Sequence, residues 1–126
     1  MSIPNDRRYT ADHEWILIDG DVARVGITEF ATGELGDIVF VDPPAAGDEV
    51  VAGERCGEIE STKSVSDLVA PASGAVVEVN SAVVDAPETV NADPYGEGWL
   101  YSMTVESEGE LLDAEAYAEL IEGASA

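Results

Sequence analysis

Turn-forming residues interrupt this chain so often that most of its apolar runs have the length of a single β-strand. Its 126 residues include 12 Gly and 6 Pro, set between short runs rich in Val, Ile and aromatic residues. That is the punctuation of a sandwich or barrel, not of a helical bundle. Residues 15–18 are wholly apolar, and Asp19-Gly20 follows as a tight-turn pair before residues 22–27, which together predict a hairpin. Thr28 is placed to cap a short helix through residue 35, with Gly36 as the left-handed residue that ends it. Residues 37–41 read as a strand with apolar residues facing both ways, so burial on both sides is expected. Pro43-Pro44 breaks the pairing, and Gly47-Asp48 turns the chain into residues 50–52.

The second half continues in the same style. Residues 56–60 and 65–69 are strand-like and flank Ser61-Thr62-Lys63-Ser64. Pro71-Ala72-Ser73-Gly74 reads as a turn, and residues 75–80 as a strand with Ala75, Val77 and Val79 on one face. Pro87 opens a helical turn at 88–91, residues 93–98 are loop, and residues 99–105 return to strand. A C-terminal helix is expected over 113–122, capped by Asp113, with Leu112, Ala116 and Leu120 in a stripe widened by Tyr117 and Ile121. One domain over residues 1–126 suits this length, which buries roughly two-thirds of the unfolded surface.

Charge narrows the function classes. The chain carries 27 Asp and Glu against 5 Lys and Arg, a formal net charge of −22. Such a surface repels phosphate backbones and anionic headgroups, so neither nucleic acid nor a membrane is an expected partner. With 45% hydrophobic residues the charge does not signal disorder. It predicts either a halophilic source, where salt screens self-repulsion, or steering of a basic partner. The single cysteine, Cys56, excludes an intrachain disulfide and reads as a small core residue. Met1 to Asp12 lacks the apolar stretch of a signal peptide, and no run approaches a membrane span, so a reducing cytoplasm is the expected location.

Candidate chemistry reduces to one side chain. Lys63 is the only lysine, and the pairing of its flanking strands puts it near a hairpin tip. It can be a solvated turn residue, a Schiff-base nucleophile or a point of covalent attachment. A nucleophilic amine needs a desolvated pocket or a neighbouring cation, and a polar tip flanked by Glu60 and Asp67 supplies neither. An attachment point needs exposure, small neighbours and a stiff support, all of which the hairpin offers. The only histidine, His13, rules out a multi-His zinc site and, with no Gly-x-Ser-x-Gly elbow, leaves a Ser–His–Asp triad unsupported. Phosphate loops, dinucleotide fingerprints and EF-hand spacing are absent. No catalytic site and no metal site is read from the sequence.

The stretch Gly57-Glu58-Ile59-Glu60-Ser61-Thr62-Lys63-Ser64-Val65-Ser66-Asp67 closely resembles the lipoylation segment of the glycine cleavage system H protein family. The likeness runs on through Leu68-Val69-Ala70-Pro71-Ala72-Ser73-Gly74. It includes His13-Glu14-Trp15, Val25-Gly26-Ile27-Thr28, Leu35-Gly36-Asp37-Ile38-Val39-Phe40-Val41, Ala86-Pro87-Glu88-Thr89-Val90-Asn91 and Asp93-Pro94-Tyr95-Gly96-Glu97-Gly98-Trp99. A hairpin lysine with Gly74 downstream is common to biotinyl and lipoyl carriers. Biotin carriers flank the lysine with methionine, and the lipoyl domains of 2-oxoacid dehydrogenases put Asp before it and Ala after it. Here the neighbours are Thr62, where the family commonly has valine, and Ser64.

The resemblance implies a mainly β, barrel-sandwich hybrid of the lipoyl and biotinyl carrier type, with short peripheral helices including a C-terminal one. It implies a non-catalytic carrier with lipoate joined by an amide to Lys63. The carrier would shuttle the aminomethyl intermediate of glycine between the glycine decarboxylase (P protein), the aminomethyltransferase (T protein) and the dihydrolipoyl dehydrogenase (L protein), after loading by a lipoate-attaching enzyme. Glu60 and Asp67 are expected recognition residues for that enzyme or for docking. A lipoyl or biotinyl carrier of another complex, a lipoate-relay protein and an unmodified acidic binding module are the alternatives.

Overall fold

In the computed structural model, which describes residues 3–125, the short strand β1 (Arg8–Tyr9) lies antiparallel to β2 (Glu14–Asp19), which folds back on β3 (Val22–Ile27). Asp19 pairs with Val22, so the hairpin loop is Gly20-Asp21, one residue later than the Asp19-Gly20 turn expected. Thr28 caps α1 (Glu29–Leu35) by accepting from the Ala31 N–H at 3.2 Å. Gly36 ends the helix at φ 80° and ψ −151°, a backbone state open almost only to glycine.

The chain continues as β4 (Ile38–Asp42), β5 (Glu49–Val50), β6 (Arg55–Ser61), β7 (Val65–Val69) and β8 (Ala72–Val79). Two short helices, α2 (Ser81–Asp85) and α3 (Glu88–Ala92), lead to β9 (Tyr101–Thr104), β10 (Ser107–Glu108) and α4 (Ala114–Ser125). One sheet has the order β1-β2-β3-β9-β8-β10, with β5 also paired to β8; the other is β4-β6-β7. Every pairing is antiparallel. The main core lies between the sheets, where Ile16, Val25 and Met103 of the larger meet Ile38, Val41, Ile59 and Leu68 of the smaller. Burying such a side chain contributes about 1.5–3 kcal/mol. The result is the mainly β barrel-sandwich architecture with peripheral helices.

Several local expectations are corrected. Strand β4 is not buried on both sides: Ile38 and Val41 are buried, whereas Val39 and Phe40 are exposed. A bulge between Ile38 and Phe40 breaks its alternation. The segment read as a turn at 71–74 is strand from Ala72 onward. Gly74 is there because a Cβ would sit 1.8 Å from the Thr104 carbonyl oxygen of β9. Ala75, Val77 and Val79 do not share one face undisturbed, since a bulge between Val76 and Glu78 buries Val76 and exposes Val77. Strands β5 and β9 are shorter than expected, and α2, capped by Asn80, was not foreseen. Helix α4 is capped as expected, with Asp113 Oδ1 accepting from the Ala116 N–H at 2.8 Å. It packs through Tyr117 and Ile121, while Leu120 faces solvent.

That helix closes a second, aromatic core formed by Tyr9, Trp15, Phe30, Tyr117 and Ile121. Tyr9 and Tyr117 stack with centroids 4.7 Å apart. The Tyr117 hydroxyl lies 2.7 Å from Thr28 Oγ1 and 2.9 Å from His13 Nδ1. Trp15 Nε1 donates to the carbonyls of Ile27 and Pro94, both at 3.0 Å.

Candidate functional site

The β6–β7 hairpin holds up the lysine, and one serine builds its turn. The Ser61 N–H donates to the Ser64 carbonyl at 2.8 Å, while Ser61 Oγ accepts from the N–H groups of Lys63 and Ser64 at 3.3 and 3.1 Å. Neither Thr62 nor Lys63 has a positive φ, so the turn does not belong to the primed types. The tip is also tied to the rest of the fold. The Thr62 N–H donates to the Asp37 carbonyl at 3.0 Å. Asn91 of α3 brackets that same segment, donating to the Gly36 carbonyl and accepting from the Ile38 N–H, both at 2.9 Å.

Residues 62–65 are exposed, and Lys63 makes no ion pair among the described residues. Its stem passes the α1–β4 junction, with Cε 3.7 Å from where a Cβ on Gly36 would sit. Glu60 is half-buried in the row of the sheet next to the tip, paired across strands with Phe40 and Val65. Asp67 is one row further down, opposite Glu58, and its carboxylate accepts from Arg55 Nε at 2.9 Å. Arg55 Nη2 also binds Glu58 at 2.9 Å. These contacts, the Asp67 hydrogen bond first, raise the Arg55 pKa. Glu60 thus lies in the row next to the Lys63 turn, with no ion pair among the described residues, whereas Asp67 is already engaged.

The family model described as Glycine cleavage H-protein matches residues 7–124. The chain belongs to the glycine cleavage H-protein family. A glycine cleavage system H protein of Beutenbergia cavernae is 64% identical over 123 residues, covering 98% of this chain and 99% of that one. One from Thermobifida fusca is 53% identical, with 98% of each chain covered. The crystal structure of a glycine cleavage system H protein from Mycobacterium marinum superposes with a TM-score of 0.92 at 59% identity, covering 95% of this chain and 99% of that one. Proteins of this family are non-catalytic lipoyl carriers of the glycine cleavage system and bear lipoate covalently on a lysine.

Within this H-protein fold the remaining reactive side chains have structural surroundings. His13 adopts φ 70° and packs on Phe30 at 4.7 Å; burial lowers its pKa, against the opposing pull of Asp12 and Glu34. Cys56 is half-buried with its Sγ 3.6 Å from the Tyr101 hydroxyl, and burial pushes the thiol up, away from the reactive thiolate. Glu14 is 2% exposed, accepting from Thr10 Oγ1 at 2.8 Å and from the Val69 N–H at 3.2 Å. Burial pushes its carboxyl up to about 8. A surface cavity of about 580 Å³, lined among others by Thr10, Asp12, Val69 and Pro71, lies by the end of β7 remote from Lys63. Among the described residues no group of three or more His, Cys, Asp or Glu could hold a metal ion, and no helix is long and apolar enough to cross a membrane.

Sequence reasoning missed the supports of the tip. A serine opening a four-residue turn is a recognisable signal, and Ser61 could have been found that way. Asn91 and Asp37 could not, because their link to the hairpin spans distant parts of the chain.

Proposed function

We propose that Lys63 is the lysine of this H-protein chain that takes lipoate, and that residues 1–126 act as one carrier unit. One observation carries the reading: the sole lysine stands exposed on a turn held by Ser61 and braced through Asp37. An attached arm then starts from a fixed base, and tethering raises the local concentration of whatever it bears. In attachment, the deprotonated Nζ attacks the carbonyl carbon of an activated lipoyl donor, a mixed anhydride or thioester. The C–N bond forms, the leaving group departs with the electron pair of the bond it loses, and the nitrogen gives up a proton.

The attached dithiolane supplies the chemistry that receives and releases the aminomethyl group of glycine, with the demanding steps in the partner enzymes. Those partners are the P, T and L proteins and the lipoate-attaching enzyme, in a reducing cytoplasm. Glu60 and Asp67 contribute to recognition, Glu60 directly beside the tip and Asp67 through its pair with Arg55. The high-salt reading of the −22 charge carries its own test: loss of structure at low ionic strength and recovery in molar salt.

Peptide mass analysis of the chain from its native host tests the assignment. A lipoyl increment on the peptide that contains Lys63 is expected. An unmodified peptide in an active preparation, or a biotinyl increment, would sink it.

A further inference from the structure

The outer face of the β4-β6-β7 sheet carries, beside the lysine, a row in which two exposed apolar side chains flank a carboxylate. Cross-strand pairing aligns Phe40, Glu60 and Val65, with Asp42, Glu58 and Asp67 in the next row away from the tip. On the inner face Val41 and Ile59 are 2% and 1% exposed, whereas Phe40 and Val65 are 46% and 60% exposed. Val39, in the bulge, is exposed as well. Single exposed apolar residues need no explanation, but several grouped at one end of a three-stranded sheet mark an interaction surface.

We propose that this face is the docking surface for the acyltransferase that joins lipoate to Lys63, resting on the reading of Lys63 as the attachment residue. The enzyme presents apolar recesses for Phe40 and Val65, with Arg or Lys side chains that meet Glu60 between them and Asp42 in the next row. Reach is the first argument. An unmodified lysine has only a four-carbon stem, so the active site that acylates Nζ must come down onto the tip and cover what adjoins it. Enzymes that act later meet a longer arm and can stand further off. The Glu60–Val65 pair is the last cross-strand pair before the Ser61–Ser64 turn, so this row is continuous with the lysine.

Charge is the second argument. Arg55 is committed to Glu58 and Asp67, and neither Glu60 nor Asp42 meets a cation among the described residues. The face sets the Glu60 carboxylate between the apolar Phe40 and Val65, with Asp42 in the next row, which selects a partner surface that combines basic and apolar groups and steers its approach. A second copy of this chain, with a net charge of −22, is repelled from the same surface.

Lipoylation of the unmodified full chain by its lipoate-attaching enzyme, followed by intact mass, tests the proposal. Phe40→Ser and Val65→Ser are each expected to raise KM by about tenfold, the effect of losing a well-packed interface anchor. Their kcat and melting temperature should stay near those of the parent. Val77→Ser, an exposed valine on the larger sheet, should leave KM unchanged. Calorimetric titration of the Lys63→Arg chain with that enzyme should show the same loss of affinity when Phe40→Ser or Val65→Ser is added. Unchanged KM and affinity in both variants, with Lys63 still modified, overturns the docking face and leaves the attachment reading standing. A parent chain that is not modified at Lys63 overturns both. Sedimentation showing a dimer abolished by Phe40→Ser assigns the face to a second copy and also overturns the proposal.

Discussion

The hairpin tip around Lys63 and the aromatic core around Tyr117 hold a polar group in place by opposite means. At Tyr117 the side chains do the holding: stacked rings exclude water and the hydroxyl is fixed between Thr28 and His13. At the tip the backbone and two short side chains do it. Ser61 closes the turn and Asn91 fixes the segment to which Thr62 is bonded, while the Lys63 side chain is left outside. The contrast teaches how a small domain displays a group without loosening its base: rigidity comes from main-chain groups and the Ser61 and Asn91 side chains, so none of it depends on the lysine side chain.

The sharpest break between the two regions is Lys63→Arg. It should abolish lipoyl attachment by mass analysis and leave the denaturation midpoint where it was, because Lys63 anchors nothing. Any retained one-carbon transfer in reconstitution with the glycine decarboxylase would refute the assignment. Tyr117→Ala is its mirror image. Losing a fully buried ring with its stacking and hydroxyl contacts should cost about 3–5 kcal/mol in chemical denaturation. The surviving folded fraction should still be modified at Lys63.

Glu14 sharpens the comparison through pH. In the unfolded chain its carboxyl ionises near 4.5, but burial holds it up to about 8 in the fold. As pH rises through that window the unfolded state gives up a proton that the native state keeps, so stability falls, by at most about 1.4 kcal/mol per pH unit, and levels off above about 8. Glu14→Gln should remove that part of the slope, seen as the difference between the two stability–pH curves. An unaltered slope would mean that the buried carboxyl is ionised in the fold. The smallest effect is expected at the turn itself. Ser61→Ala should cost about 0.5–1.5 kcal/mol and speed amide exchange at Lys63 and Ser64 with the hairpin still formed. Exchange as slow as in the parent would remove Ser61 from its role.

Much of this fold could be read along the chain, because it rests on contacts between near neighbours. The β2–β3 and β6–β7 hairpins, the Thr28 and Asp113 caps and the helix break at Gly36 follow from turn chemistry and short-range periodicity. Lys63 stood out for the same reason, as a lone cation in a polar turn between two strands. The errors share a different cause. Residues 71–74 have the composition of a turn, but Gly74 answers to the carbonyl of Thr104, far along the chain. The apolar run of β4 suggested two buried faces, but the side that carries Phe40 and Val39 is exposed. In α4 the expected stripe included Leu120, but packing buried Tyr117 and Ile121 and left Leu120 exposed.

By itself the amino-acid sequence determined the β2–β3 and β6–β7 hairpins, the caps of α1 and α4, the net charge and the single lysine amine. These depend on residues close together in the chain, where backbone preference and side-chain chemistry act locally. Only the tertiary structure decided which apolar residues face water beside that amine and that α3 braces the hairpin tip through Asn91. Each of these needs two distant segments to meet, and which segments meet is set by how the sheets pack, not by the order of residues within either one.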